Sequence, residues 1–178
     1  LLVEHAAAIA GDAERQVKIP EIAIQAYELF AERLRDLPAA AHALARALLV
    51  QPDNDRAYQR LAQLYDELHW TPELGNLLTW RMQWARQNQP AALAGLHVAY
   101  ADLQRVHFHA IADAVQHYEE ALRLDPTLIA ANAQLVELHM RAGAWPRAAE
   151  LMQTELTQLE GLAQRGQANP ETTQRIGD

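Results

Sequence analysis

Tyr58, Leu61, Leu64, Tyr65 and Leu68 recur at intervals of three and four, as do Leu128, Ala131, Leu135 and Leu138. That is the period of an α-helix with one apolar face. No convincing alternation of period two is visible, and valine, isoleucine and threonine are too dispersed for strands. Glycine and proline are sparse and fall between the stripes, where they punctuate. The pattern predicts helices near 21–35, 38–50, 55–68, 72–87, 91–104, 112–124, 128–142 and 145–161 with brief connections. Asp12 reads as a cap on a helix entered at Ala13, with Pro20 bending or restarting it. From Gln164 onward the stripe is lost, so 163–178 is expected to be a polar tail.

The helices repeat as pairs. Ala114, Tyr118, Ala121 and Pro126 share their spacing with Ala40, Leu44, Ala47 and Pro52. The spacing returns in part as Leu74 with Leu78 and as Ala148 with Met152. The lead positions 40, 74, 114 and 148 differ by 34, 40 and 34. Upstream of each lies a second pair one helical turn apart: Tyr27 and Ala31, Leu61 and Tyr65, Leu96 and Tyr100, Leu135 and His139. The gap to the next lead residue is nine, except in the third unit, where fourteen residues separate Tyr100 from Ala114. Small residues such as Ala40, Ala114 and Ala148 would let paired helices approach closely. Leu44, Tyr118 and Met152 would fill the space between units, and a following proline ends the second helix.

Over roughly Glu21 to Glu160 this pattern resembles the tetratricopeptide repeat, a helix-turn-helix unit of about 34 residues. The resemblance is most specific from Ala114 to Leu156, with Gly143 in the turn. It is weakest in the second unit, where Leu74 replaces a small residue and Arg81 an alanine. It implies an all-α fold of antiparallel helix pairs stacked as a right-handed superhelical solenoid. Residues 1–20 would then be the end of a preceding, truncated repeat and a linker. About four repeats would fill 21–162.

The resemblance also implies where a partner binds: on the first helix of each pair, along the concave groove. The groove-facing stripe would hold Gln25, Leu29 and Arg33, then Arg56, Gln59, Gln63, Asp66 and Glu67. Ala94, Val98 and Asp102 would follow in the third unit, and Ala133, Glu137 and Arg141 in the fourth. A mixed stripe of this kind suits an extended peptide or a helix, with the polar groups fixing register. Gln25 and Leu29 stand where the carboxylate-gripping subfamily carries lysine and asparagine, so that role is not implied.

Composition narrows the partner and the chemistry. Half of the residues are hydrophobic and 21% are charged, a globular balance. The net charge of -8 and the scattered arginines offer no basic stripe for nucleic acid. No run of eighteen apolar residues suggests a membrane span. Cysteine and serine are both absent, which removes thiolate and serine nucleophiles, disulfides and cysteine-held zinc. No phosphate-binding loop or HExxH motif occurs, so neither an enzyme nor a cofactor is expected. Among the eight histidines, His107, His109 and His117, with His97 on the helix before, form the nearest approach to a metal set; packing or surface roles are the commoner reading. His139 reads as a core or groove residue, and Trp80 with Trp84 as packing between repeats or, the less favoured reading, as an aromatic binding surface. Trp70 and Trp145 read as covers over the ends of the core. Phe108, in the extra residues of the third unit, either projects as a contact or tucks back.

The expected function is therefore a protein-interaction module or scaffold taking a protein or peptide, in the cytoplasm or, failing that, the periplasm. The alternatives are a regulatory repeat region of a larger enzyme and, less favoured, a helical metal-binding protein. The apolar start at Leu1 and Leu2 predicts concentration-dependent homodimers through that end.

Overall fold

The structure is a computed structural model and describes residues 13–164, with side chains from Lys18 to Gly161. All the described elements are helical, with no strand among them. They are α1 (Ala13–Glu28), α2 (Leu37–Val50), α3 (Asp55–Glu67), α4 (Thr71–Asn88), α5 (Leu93–Val106), α6 (Ile111–Leu124), α7 (Ile129–Arg141) and α8 (Trp145–Gln164). A π-helical segment, Leu29–Leu34, continues α1, and a 3-10 turn, Pro90–Ala92, leads into α5. The helices form two compact units, the first ending at Leu77 and the second beginning at Leu78, inside α4.

Local chemistry sets the helix ends. The Asp36 carboxylate accepts the Ala39 amide at 3.0 Å, and the Asn54 side chain accepts the Ala57 amide at 3.0 Å. Each satisfies an amide that the first turn leaves without a partner. Every turn within a predicted pair contains one residue of positive φ: Arg35, His69, His109 and Gly143. At His69 and Gly143 the chain closes with an i to i−5 bond, Trp70 N–H to Tyr65 O at 2.7 Å and Ala144 N–H to His139 O at 2.8 Å. These are helix ends in the left-handed style. At Arg35 and His109 the loop is wider, with Asp36 N–H reaching Phe30 O and Ala110 N–H reaching Gln104 O. Only Gly143 among the four is a residue that adopts this conformation without steric cost.

In the first unit α1 packs on α2, and α2 on α3. In the second, α5 packs on α6, α6 on α7 and α7 on α8. Short turns make the partners in each hairpin antiparallel. The alanines of the repeat pattern sit where helices touch: Ala40 and Ala114 are fully buried and Ala148 nearly so. Leu44 fills the first core, while Tyr118, Leu135, Leu138 and Leu151 fill the second around Ala101 and Ala131.

Several expectations need correction. Helix α1 passes through Pro20 without restarting, with the proline buried inside it. Met152 is 51% exposed; its neighbour Leu151 takes the inward position. Trp145 is 61% exposed and does not cover the core, whereas Trp70 does pack, 5.9 Å from both His42 and Tyr65. The Asp12 cap, the segment 1–10 and residues 165–178 of the tail lie outside the described residues.

Candidate functional site

In the first unit, α1 and α3 flank a cleft of about 320 Å³. Its apolar lining comes from Ile24, Leu44 and Ala57, and its polar lining from Tyr27, Glu28, Asn54, Arg56, Gln59, Arg60 and Gln63. Positions 56, 59, 60 and 63 form one stripe of α3 because residues three and four apart share a helix face. Arg60 organises the polar side. Its Nε–H donates to the Tyr27 hydroxyl, its Nη1 donates to Gln63 Oε1 at 3.1 Å, and the guanidinium lies 5.8 Å from the Tyr27 ring centre. That hydroxyl, more than any other group, pushes the Arg60 pKa further up, with smaller help from Glu67. The guanidinium is thus a fixed positive charge with two of its donors already directed.

The structure brings Arg56, Gln59 and Gln63 together in this cleft and does not bring Gln25, Leu29 or Arg33 into it. Those three are exposed nearby. The α1 face that meets α3 is Ile24, Tyr27 and Glu28, one position earlier than Gln25 and Leu29. One residue is about 100° around a helix, enough to move a side chain off the groove. The π-helical turn from Leu29 also breaks the 3.6 period from which Arg33 was extrapolated. Asp66 and Glu67 are exposed further along α3. Sequence reasoning missed Tyr27 as a cleft residue because its pairing with Ala31 reads equally well as a core pair.

In the second unit the remaining residues are engaged with the protein itself. Val98 packs against the core cluster and Ala94 is buried. Asp102 Oδ1 accepts a hydrogen bond from the Tyr118 hydroxyl at 2.5 Å and faces Arg105 at 3.5 Å. Arg105 Nε also donates to the Tyr118 oxygen at 3.3 Å. Burial first, and the bond to Asp102 second, push the Tyr118 phenol up to about 12. Glu137 and Arg141 pair with each other at 2.6 Å on the surface of α7.

Of the histidines, the structure joins His97 on α5 and His117 on α6, whose Nδ1 atoms are 2.9 Å apart. The Tyr100 ring lies against His117, with centroids 4.6 Å apart and planes tilted by 48°. Both pKa values are lowered, in each case mainly by burial. His97 is lowered further by His117, Arg86 and Arg123 and raised by Glu120; Asp113 and Glu120 raise His117. His107 and His109 stay exposed on the turn beside Phe108, itself 46% exposed. No group of three or more metal-binding side chains occurs among the described residues. Arg81, in place of the repeat's alanine, is buried, bonded to Gln89 Oε1 at 3.2 Å and 4.4 Å from the Trp84 ring centre.

The sequence profile of the tetratricopeptide repeat matches residues 108–155, which take in α6, α7 and the first half of α8. This segment is a tetratricopeptide repeat. Within the repeat, Ala114, Tyr118 and Ala121 of one helix and Ala131, Leu135 and Leu138 of the next are among the buried residues. Tetratricopeptide repeats serve in general as protein-interaction units, and the match supports that general class for this segment. The chain is similar to a crystal structure of MamA protein, at 13% identity over 85% of this chain and 98% of that one, with a TM-score of 0.44. No curated protein matches it. No helix among the described residues is long and apolar enough to cross a membrane.

Proposed function

We propose that the chain binds a polypeptide partner through the α1–α3 cleft and catalyses nothing itself. The observation that carries this is the convergence of Arg56, Gln59 and Gln63 with the Tyr27–Arg60 pair around an apolar floor. An extended peptide needs that combination: a small hydrophobic pocket for one side chain and amide donors and acceptors for its backbone. At about 320 Å³ the cleft holds one or two residues, so the exposed Gln25, Asp66 and Glu67 alongside it would extend the contact. Leu29 and Arg33 would extend it on the α1 side, level with Asp66 and Glu67, since α1 and α3 run the same way and Tyr27 faces Arg60. In the second unit the α5 and α7 surfaces, with Asp102, Glu137 and Arg141, form the corresponding patch of this reading. Their charges are already paired internally, so they would contribute less than the first unit.

The test is a displayed random-peptide library selected against the purified chain, followed by calorimetry of the enriched peptide. Gln59→Glu with Gln63→Glu is expected to weaken it at least tenfold. Thr154→Glu, on α8, should leave it unchanged. Enriched peptides that bind both variants equally would rule out the cleft.

A further inference from the structure

The two ends of the second unit differ in chemistry. Its helices alternate in direction, so the α5–α6 and α7–α8 turns lie at one end and the α6–α7 turn at the other. The first two turns are neighbours, on the order of 10 Å apart, the spacing of packed helices. Val106, Phe108 and Ile111 stand at one of them and Met140 and Trp145 at the other, and all five are exposed. They are five of the ten large apolar side chains exposed among the described residues, so the apolar surface is concentrated at this end. The opposite turn, from Asp125 to Leu128, has Leu124 beside it as its exposed residue of that kind.

The same two turns carry no acid. Residues 103–112 and 138–149 contain neither aspartate nor glutamate, in a chain with 23 of them. They hold Arg105, Arg141 and Arg147, and His107 and His109 are exposed on the first turn. Acidic residues resume inward along the helices, at Asp102, Asp113, Glu137 and Glu150. Three of these face the arginines: Asp102 lies 3.5 Å from Arg105, Glu137 2.6 Å from Arg141 and Glu150 3.0 Å from Arg147, which also has Glu119 at 3.7 Å. Solvent reaches every one of these pairs, and such pairs contribute little in water. An anion beyond the turns can therefore compete for the guanidinium groups.

We propose that this end of the second unit docks on an anionic lipid surface. Phe108 and Trp145 enter the headgroup boundary, and Arg141 and Arg147 meet its phosphates. Shape favours lipid over a polypeptide. The chain reverses at His109 and Gly143, both of positive φ, so the apolar side chains stand on the tips of turns and protrude. A protein partner would need a matching hollow for each, whereas acyl chains give way to any protrusion. Tryptophan suits the boundary between headgroups and acyl chains, and basic side chains beside it are drawn to anionic headgroups. The contact is peripheral and needs no spanning helix. It uses none of the residues of the α1–α3 cleft.

The test is sedimentation of the full chain with vesicles of phosphatidylcholine and phosphatidylglycerol in equal parts, and with vesicles of phosphatidylcholine alone. The chain is expected to sediment with the first at least fivefold more than with the second. Phe108→Ser with Trp145→Ser should lower the bound fraction at least fivefold, with helix content by circular dichroism kept. Arg141→Glu should lower it on the anionic vesicles. The chain has no cysteine, so Phe108→Cys gives a single site for an environment-sensitive dye. Its emission should shift to the blue on the anionic vesicles, and that of Thr127→Cys, in the opposite turn, should not. No sedimentation with anionic vesicles, equal binding to both compositions, or equal binding by the paired serine variant would overturn the proposal. So would a dimer in vesicle-free solution that the paired serines dissolve, which would assign this end to a second copy.

Discussion

Replacing Tyr118 with phenylalanine removes a single oxygen from a side chain with no exposed surface. The ring volume is kept, so no cavity term enters. What is lost is a hydrogen bond to an ionised carboxylate, Asp102, at 2.5 Å, together with an acceptor for Arg105 at 3.3 Å. Hydrogen bonds to charged groups contribute roughly 1.5–3 kcal/mol. The Asp102 side chain is 47% exposed, so water can take over its freed lone pair. That favours the lower end, about 1.5 kcal/mol. With a urea slope of about 2 kcal/mol/M, the midpoint should fall by about 0.7 M. Asp102→Asn keeps an acceptor oxygen and is expected to cost less than Asp102→Ala. A double-mutant cycle of Tyr118→Phe with Asp102→Ala should give a coupling of about 1 kcal/mol or more. A Tyr118→Phe midpoint within 0.1 M (roughly the error of such a measurement) would refute the reasoning, as would strict additivity in the cycle.

Three further outcomes are expected. His97 and His117 have folded-state pKa values below the ordinary 6.5, so the unfolded chain takes up protons first as the pH falls. Stability should hold above pH about 6.5 and drop as the pH passes down through the lowered values. Urea midpoints at pH 7.5 and 5.5 check this, and His117→Gln should flatten the difference. Gly143→Ala should cost about 1 kcal/mol in thermal or urea unfolding, because the φ of 71° disfavours a Cβ although nothing lies within 4 Å of one. Leu151→Ala should cost about 2–5 kcal/mol and Met152→Ala less than about 0.5 kcal/mol, since adjacent positions on α8 face core and solvent; equal losses would contradict the assigned face.

The sequence by itself determined the helices and their pairing. Stripes at three and four, ended by proline and by capping side chains such as Asp36 and Asn54, are local properties of the chain. The alanines at 40, 114 and 148 were legible too, as small residues recurring at the repeat spacing, and they are buried where helices pack. Only tertiary structure decided which flank of α1 and of α3 lines the cleft. The periodic reading of Gln25, Leu29 and Arg33 assumed an undisturbed helix. A π-helical turn and a shift of one residue moved the cleft to Tyr27 and Glu28 instead. The meeting of His97 with His117, twenty residues apart, and of Tyr118 with Asp102 depends on how α5 and α6 lie together. Periodicity says that a helix has a buried face; the partner helix, through its own side chains, settles which neighbouring position faces inward and which is left for another molecule.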